Sequence, residues 1–63
     1  MYKLKEKRLA CGLTQAEVAK EVGIQESAYQ RYEYETRLPS VIVAIRIAKA
    51  LNTTVEEVWS QDG

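Results

Sequence analysis

The amino-acid sequence predicts an all-α fold, a compact bundle of five short helices forming one domain over residues 1–63. Apolar residues recur at helical spacing in five segments, and glycine, proline, serine or threonine stands between those segments. No segment shows the alternation of apolar and polar residues that is typical of a strand. A chain of this length hides only about 60% of the surface that its unfolded form exposes, so self-association would add to its stability.

The first helix is predicted from Tyr2 to about Cys11. Leu4, Arg8 and Cys11 share one stripe of this helix, at positions i, i+4 and i+7. Gly12 is expected to end the helix, as glycine commonly does just past a helix C-terminus. Cys11 is therefore expected to be an inert side chain of the core.

A capping box opens the second helix. In Thr14-Gln-Ala-Glu17 the threonine oxygen can accept a free backbone N–H while the glutamate reaches back. Leu13 and Val18 occupy the positions of a hydrophobic staple, which supports the same start. The helix is expected to end near Val22. Its expected inward-facing residues are Val18, Ala19 and Val22.

A third helix is predicted over about Gln25–Tyr34, with Tyr29 and Tyr32 on its inner face. Residues 36–40 are expected to form a loop, because proline disfavours a helical conformation in the residue before it. Ser40, at the end of this loop, is the expected cap of a fourth helix.

The fourth helix is predicted over Val41–Leu51, and a second capping box, Thr54-Val-Glu-Glu57, opens a short fifth helix. The fifth helix carries Val58 and Trp59. The expected core stripe of the fourth helix is Val41, Ala44, Ile45, Ala48 and Leu51.

The composition excludes several functions. With no histidine and a single cysteine, the chain cannot form an internal disulfide and lacks the usual ligand sets of a zinc site. No metal and no other cofactor is expected. The missing histidine also removes the nucleophile–base sets of most hydrolytic sites, so an enzyme is not expected. No apolar run approaches 18–20 residues and the charged start lacks the apolar stretch of a signal peptide, so we expect a cytoplasmic protein without a membrane partner.

The charges cancel in total but not along the chain. Nine basic and nine acidic residues give a net charge of zero, which at first disfavours nucleic acid as a partner. Residues 1–9, however, hold four basic residues and one acidic residue, which gives +3, and residues 54–63 hold three acidic residues, which gives −3. The sequence therefore predicts a dipolar domain, unless these charges are only an ordinary solvated surface.

Residues 15–34 form the segment with the clearest functional pattern. Two predicted helices are joined by a turn of about four residues, which is the spacing of a helix-turn-helix. Ala19 must be small because the second helix of the pair crosses closely over the first. Gly23 supplies the positive φ that the turn requires and that other residues resist. Five apolar residues would fill the wedge between the helices: Val18, Val22, Ile24, Tyr29 and Tyr32.

With these features in register, the chain resembles the phage-repressor and Cro-type helix-turn-helix domains, often called Xre-type. The residues that carry the resemblance are Arg8-Leu-Ala-Cys-Gly12-Leu-Thr-Gln15, Val18-Ala19, Gly23-Ile24, Arg31-Tyr-Glu33, Pro39-Ser40, Ala48-Lys-Ala-Leu51-Asn52 and Thr54-Val-Glu-Glu-Val58-Trp59. They cover nearly the whole chain. The resemblance implies a lambda-repressor-like domain of a bacterial or phage-type transcriptional regulator, associated with the nucleoid. Most such domains bind near-palindromic operators of double-stranded DNA as dimers.

The resemblance also implies roles for particular residues. The third helix would lie in the major groove of DNA, with its first residues against the base edges. The candidate base readers are Gln25, Glu26, Ser27, Gln30 and Arg31. The candidate contacts with the DNA backbone are Gln15, Tyr34 and Arg37. Alternatively, Gln25, Ser27 and Gln30 are plain solvated surface, and Glu26 either hydrogen-bonds Gln15 or neutralises Arg31.

Arg8 and Glu33 resemble a pair that forms an internal salt bridge in this family. Glu35 departs from the family, which often has glycine there, so the chain must either take a strained turn or follow another route. Ile42 and Val43 also depart from it, because they stand where polar residues are common.

The apolar residues at these polar positions indicate a subunit interface. We expect it to be formed by Ile42, Val43, Val55 and Trp59, with harmless surface exposure as the alternative. The function expected is that of a repressor-like homodimer on DNA. The alternative is a protein-interaction module of the same fold, antitoxin-like or regulator-binding, with weak or no specific DNA binding.

Overall fold

The structure is a computed structural model that describes residues 2–60. Over these residues the chain forms five α-helices and no strand, so the predicted fold class is confirmed. The helices are α1 (Leu4–Ala10), α2 (Gln15–Val22), α3 (Glu26–Glu33), α4 (Val41–Ala50) and α5 (Val55–Trp59). Their bounds agree with the sequence prediction to within two residues, and apart from Tyr2 the residues that differ are the caps. None of these helices is long and apolar enough to cross a membrane.

Side-chain caps begin three of the helices. Thr14 Oγ1 accepts a hydrogen bond from Glu17 N at 3.1 Å, and the Glu17 carboxylate accepts one from Thr14 N at 2.9 Å, which confirms the first capping box. Ser40 caps α4 by accepting from the backbone N–H of residue 43 at 3.3 Å. At α5, Thr54 Oγ1 accepts from Glu57 N at 3.1 Å, but the Glu57 carboxylate accepts from the threonine hydroxyl instead of its backbone N–H. The second capping box is therefore only half formed.

Each of the first four helices is followed by a residue with positive φ. These residues are Gly12 (71°), Gly23 (87°), Glu35 (63°) and Asn52 (56°). After α3, Glu35 N donates to Tyr32 O at 3.3 Å and Thr36 N donates to Arg31 O at 3.0 Å, which is the pair of bonds of a Schellman motif. Of the two routes predicted for residue 35, the chain takes the strained turn, because these backbone bonds close the end of the helix.

Side chains from all five helices contribute to burial at the centre of the domain. The main cluster of buried apolar residues is Leu4, Val18, Ala19, Val22, Tyr29, Ile47, Leu51 and Val58. Ile24 and Tyr32 are partly buried and pack against it, as expected for the wedge between α2 and α3. Tyr29 is fully buried, so it acts as the central side chain of α3.

Three residues predicted for the core lie at the surface. Cys11 is exposed because α1 ends at Ala10 and Cys11 is its C-terminal cap; its thiol donates to Leu51 O at 3.2 Å. Val41 and Ile45 are also exposed, and Ile47 is buried in their place. Because α4 is apolar on several faces, the sequence does not mark which face turns inward. The residues of α4 that do face the core, together with its C-cap, are Ala44, Ile47, Ala48 and Leu51.

The basic start and the acidic end of the chain pack together. Lys3 N donates to Val58 O at 2.9 Å, and Lys7 Nζ lies 3.6 Å from a carboxylate oxygen of Glu57. The predicted separation of charge is therefore wrong for these residues, because α1 and α5 are neighbours and their charges offset each other. Asp62, the last acidic residue counted, lies outside the described residues.

Candidate nucleic-acid interface

The turn between α2 and α3 is closed by backbone hydrogen bonds. Gly23 N and Ile24 N both donate to Ala19 O, at 2.9 and 3.0 Å, and α3 begins directly after Gln25. Ala19 is almost fully buried, as expected for a small residue where the two helices meet. The chain therefore holds α3 at a fixed angle to α2.

The outer face of α3 is polar. Its N-cap and first turn expose Gln25, Glu26 and Ser27, and Arg31 is exposed one turn further on. Gln30 is half-buried, as is Gln15 at the start of α2. The candidate backbone contacts Tyr34 and Arg37 are exposed at the C-cap of α3 and in the loop that follows.

A buried ion pair lies beneath the polar face of α3. Arg8 Nε donates to Glu33 Oε2 at 2.7 Å and Arg8 Nη2 donates to Glu33 Oε1 at 3.2 Å, so the contact is bidentate. The side chains of Arg8 and Glu33 are only 10% and 1% exposed. Arg8 Nη1 also donates to Leu13 O at 2.8 Å. The pair joins α1 to α3, as the family resemblance implied.

The pair shifts the ionisation of its members in opposite directions. Burial on its own would raise the pKa of Glu33, but hydrogen bonds from Arg8 and Gln15 and the charge of Arg8 outweigh it and lower that pKa. The hydrogen bond to Glu33 raises the pKa of Arg8. Burial, and then the carboxylate of Glu33, raise the pKa of Tyr29, so its hydroxyl stays protonated. The site therefore holds one buried positive and one buried negative charge at neutral pH.

Hydrogen bonds continue from the ion pair to the surface of α3. Gln15 Nε2 donates to Glu33 Oε1 at 3.0 Å, and Gln30 Nε2 donates to Gln15 Oε1 at 3.3 Å and to Glu26 Oε2 at 3.4 Å. The sequence had suggested Gln15 or Arg31 as the partner of Glu26, whereas the structure places Gln30 there. The signal was present, since residues 26 and 30 are four apart on one helix and therefore neighbours.

An apolar groove of about 480 Å³ lies on another side of the domain, beside the N-terminal half of α4. Its lining residues are Tyr2, Leu38, Pro39, Val41, Ala44, Ile45, Val55 and Trp59. Of the predicted interface residues, Val55 and Trp59 line the groove and Ile42 is 64% exposed on the adjoining surface of α4. Val43 is partly buried against the core, so less of its side chain is available. Sequence reasoning missed Leu38, because a single apolar residue in a loop gives no periodic signal.

These features define a helix-turn-helix domain: two helices at a fixed angle, joined by a short glycine turn, with an exposed polar face on the second. The chain belongs to the helix-turn-helix family, of the Xre type, because a family model described as "Helix-turn-helix" matches residues 4–58. The match agrees with the prediction that the domain is not an enzyme. Among residues 2–60 no three acidic or cysteine side chains are grouped as metal ligands would be.

Two curated relatives are similar to the chain. The cryptic phage CTXphi transcriptional repressor RstR of Vibrio cholerae is 35% identical over an alignment of 63 positions, which covers 95% of this chain and 56% of that protein. The uncharacterized HTH-type transcriptional regulator YqaF of Bacillus subtilis is 48% identical over 48 residues, which are 76% of this chain and 63% of that protein. The chain thus spans roughly three fifths of the length of these relatives.

Proposed function

We propose that this domain binds a specific site on double-stranded DNA and acts as a repressor-like transcriptional regulator in the cytoplasm. In this proposal α3 enters the major groove, where its exposed polar side chains contact base edges. Arg31 would hydrogen-bond to the edge of guanine. The phosphates would be contacted by Gln15, Tyr34 and Arg37. The observation that carries the proposal is the fixed α2–turn–α3 unit with its exposed polar face, in a chain of the helix-turn-helix family.

The experiment is a selection of bound sites from random duplex DNA, followed by titration of the selected site at several salt concentrations. Arg31→Ala should weaken the specific complex by about 1–3 kcal/mol and relax the preference at one base pair. Arg46→Ala, which removes the same charge from the exposed surface of α4, is the matched control and should leave that preference unchanged. The proposal fails if the domain retains no specific site at moderate salt.

We also propose that the domain works as a homodimer, with the apolar groove and Ile42 at the subunit interface. The four exposed apolar residues there are Leu38, Val41, Ile42 and Ile45. The chain carries no charge from residue 38 to residue 45, so a two-fold axis through this surface brings no like charges together. Such a dimer would present two α3 helices about one DNA turn apart, on a near-palindromic site.

A pair of matched variants tests the dimer. Ile42→Asp places a charge on the proposed interface, whereas Leu9→Asp places one on α1 at a similar exposure, 57% against 64%. Sedimentation should show that only Ile42→Asp shifts the domain to monomers, and the selected DNA site of the parent protein should be an inverted repeat. Equal behaviour of the two variants would contradict this interface.

The second candidate is a module of the same fold that binds a toxin or another regulator through the apolar groove. The open, uncharged lining of that groove favours it. This candidate requires a domain that retains no specific DNA and remains a monomer on its own. The two measurements above therefore separate it from the first.

A further inference from the structure

The hydrogen bonds that lead from the ion pair to the exposed face of α3 have a defined direction. They begin at Glu33. While it is ionised, its carboxylate accepts hydrogen bonds and donates none. Its lowered pKa and its contact with Arg8 keep it ionised at neutral pH. The amide of Gln15 must therefore turn its NH₂ group towards Glu33, as the distance of 3.0 Å shows.

That orientation determines the next one. With its NH₂ group used on Glu33, Gln15 presents its oxygen to Gln30, which must then supply a donor. The other neighbour of Gln30 is Glu26, whose ionised carboxylate also accepts only. Both neighbours therefore accept from the NH₂ group of Gln30, and the amide oxygen of Gln30 takes part in neither bond. The orientations of the Gln15 and Gln30 amides therefore follow from the neighbouring carboxylates, which can only accept.

The Glu26–Gln30 pair that results presents two acceptors to a ligand, the second oxygen of Glu26 and the amide oxygen of Gln30. Gln25 and Ser27 are exposed beside it. Each base presents a different pattern in the major groove of DNA. Guanine presents two acceptors, thymine an acceptor and a methyl group, and adenine an acceptor beside its amino donor, whereas cytosine presents an amino donor. Cytosine is the base that gives a carboxylate a donor without an adjoining acceptor.

We propose that Glu26 selects cytosine at the base pair facing the start of α3, and that Gln30 is a positioning residue that holds Glu26 for this contact. The inference rests on the proposed function, since it assumes that α3 lies in the major groove. It also explains how a carboxylate can be tolerated near phosphates: the carboxylate accepts one hydrogen bond from the base and another from Gln30, which offset its charge. On a site without cytosine there, the same carboxylate would face acceptors and be repelled.

The test compares base preferences, position by position, for the parent protein and three variants. Glu26→Gln gives a side chain that can both donate and accept, so the preferred base should change from cytosine to adenine, with roughly tenfold discrimination in each case. Gln30→Ala should lower the cytosine preference severalfold, a larger change than any it makes in affinity for random-sequence DNA. Glu21→Gln on α2, which removes an equal charge from an exposed residue, should change neither.

The outcomes separate this inference from the function on which it rests. A domain with a specific site but no cytosine dependence, or an unchanged preference in Glu26→Gln, overturns the role of Glu26. Full cytosine preference in Gln30→Ala overturns the positioning role. A domain that retains no specific site in any form overturns the proposed function itself. Because Glu26 is exposed, its substitution should leave the fold intact, and a thermal melt of each variant checks this.

Discussion

Arg8→Met should destabilise the domain strongly. It leaves the Glu33 carboxylate, whose side chain is 1% exposed, without its charged partner, and leaves Leu13 O without the donor now 2.8 Å away. Removing one member of a buried ion pair costs about 3–5 kcal/mol. A domain of this length has a free energy of unfolding of about 3–9 kcal/mol, so most of its stability is at stake. At about 4 °C or more per kcal/mol, the melting temperature should fall by at least about 12 °C.

The double variant Arg8→Met/Glu33→Leu should recover most of this loss. Replacing both members with apolar side chains removes the unpaired charge, and the remaining cost is the hydrogen bonds to Leu13 O and from Gln15. At about 1 kcal/mol for each bond, the double variant should lie within about 2 kcal/mol of the parent. Lys7→Met breaks the exposed pair with Glu57, which is 58% exposed, and should cost less than about 1 kcal/mol.

The assay is urea denaturation followed by circular dichroism, at one fixed protein concentration because dimers change apparent stability. The reasoning requires the double variant to be more stable than Arg8→Met alone. If the effects of Arg8→Met and Glu33→Leu simply add, the two charges are not coupled in the interior, and the account of this pair is refuted.

Three further predictions concern stability. Glu35→Gly should raise the free energy of unfolding by about 0.5–1 kcal/mol over Glu35→Ala, since relief of the positive φ exceeds the entropy that glycine loses; equal melting temperatures would contradict this. Thr14→Ala should cost about 1 kcal/mol in a thermal melt through loss of the α2 cap, and an unchanged melting temperature would contradict that role. Because the folded pKa of Glu33 lies below its unfolded value of about 4.5, its contribution is present above that pH and is lost as the pH falls through the folded pKa. Acid titration should therefore weaken the parent protein more than Arg8→Met/Glu33→Leu.

The helix boundaries could be predicted because their signals are local. Thr14 and Ser40 cap by bonds that span three residues, and Gly23 stands where positive φ is required. A residue other than glycine at positive φ costs about 1 kcal/mol, and a pattern of residue types does not show whether Glu35 accepts that cost. The structure answers it through the two backbone bonds that close α3.

The exposed face of α4 could not be predicted, for the opposite reason. Val41, Ile42 and Ile45 are as apolar as the buried Ile47, so periodicity offers several equivalent faces and only packing against α2 and α5 selects one. The partner of Glu26 was also missed, although the spacing of residues 26 and 30 makes them neighbours on α3; the spacing does not determine which neighbour Glu26 bonds. The Arg8–Glu33 pair was expected only from resemblance, since 25 residues separate its members.

The left-handed residues after the first four helices also bear on how quickly the domain forms. Each turn is closed by backbone bonds between residues a few positions apart, so little chain entropy is lost before contacts are made. Helical domains built from such short-range contacts fold in microseconds to milliseconds. A ribosome needs several seconds to make 63 residues at roughly 5–20 residues per second. The rate at which folded domain appears is therefore limited by synthesis and not by folding.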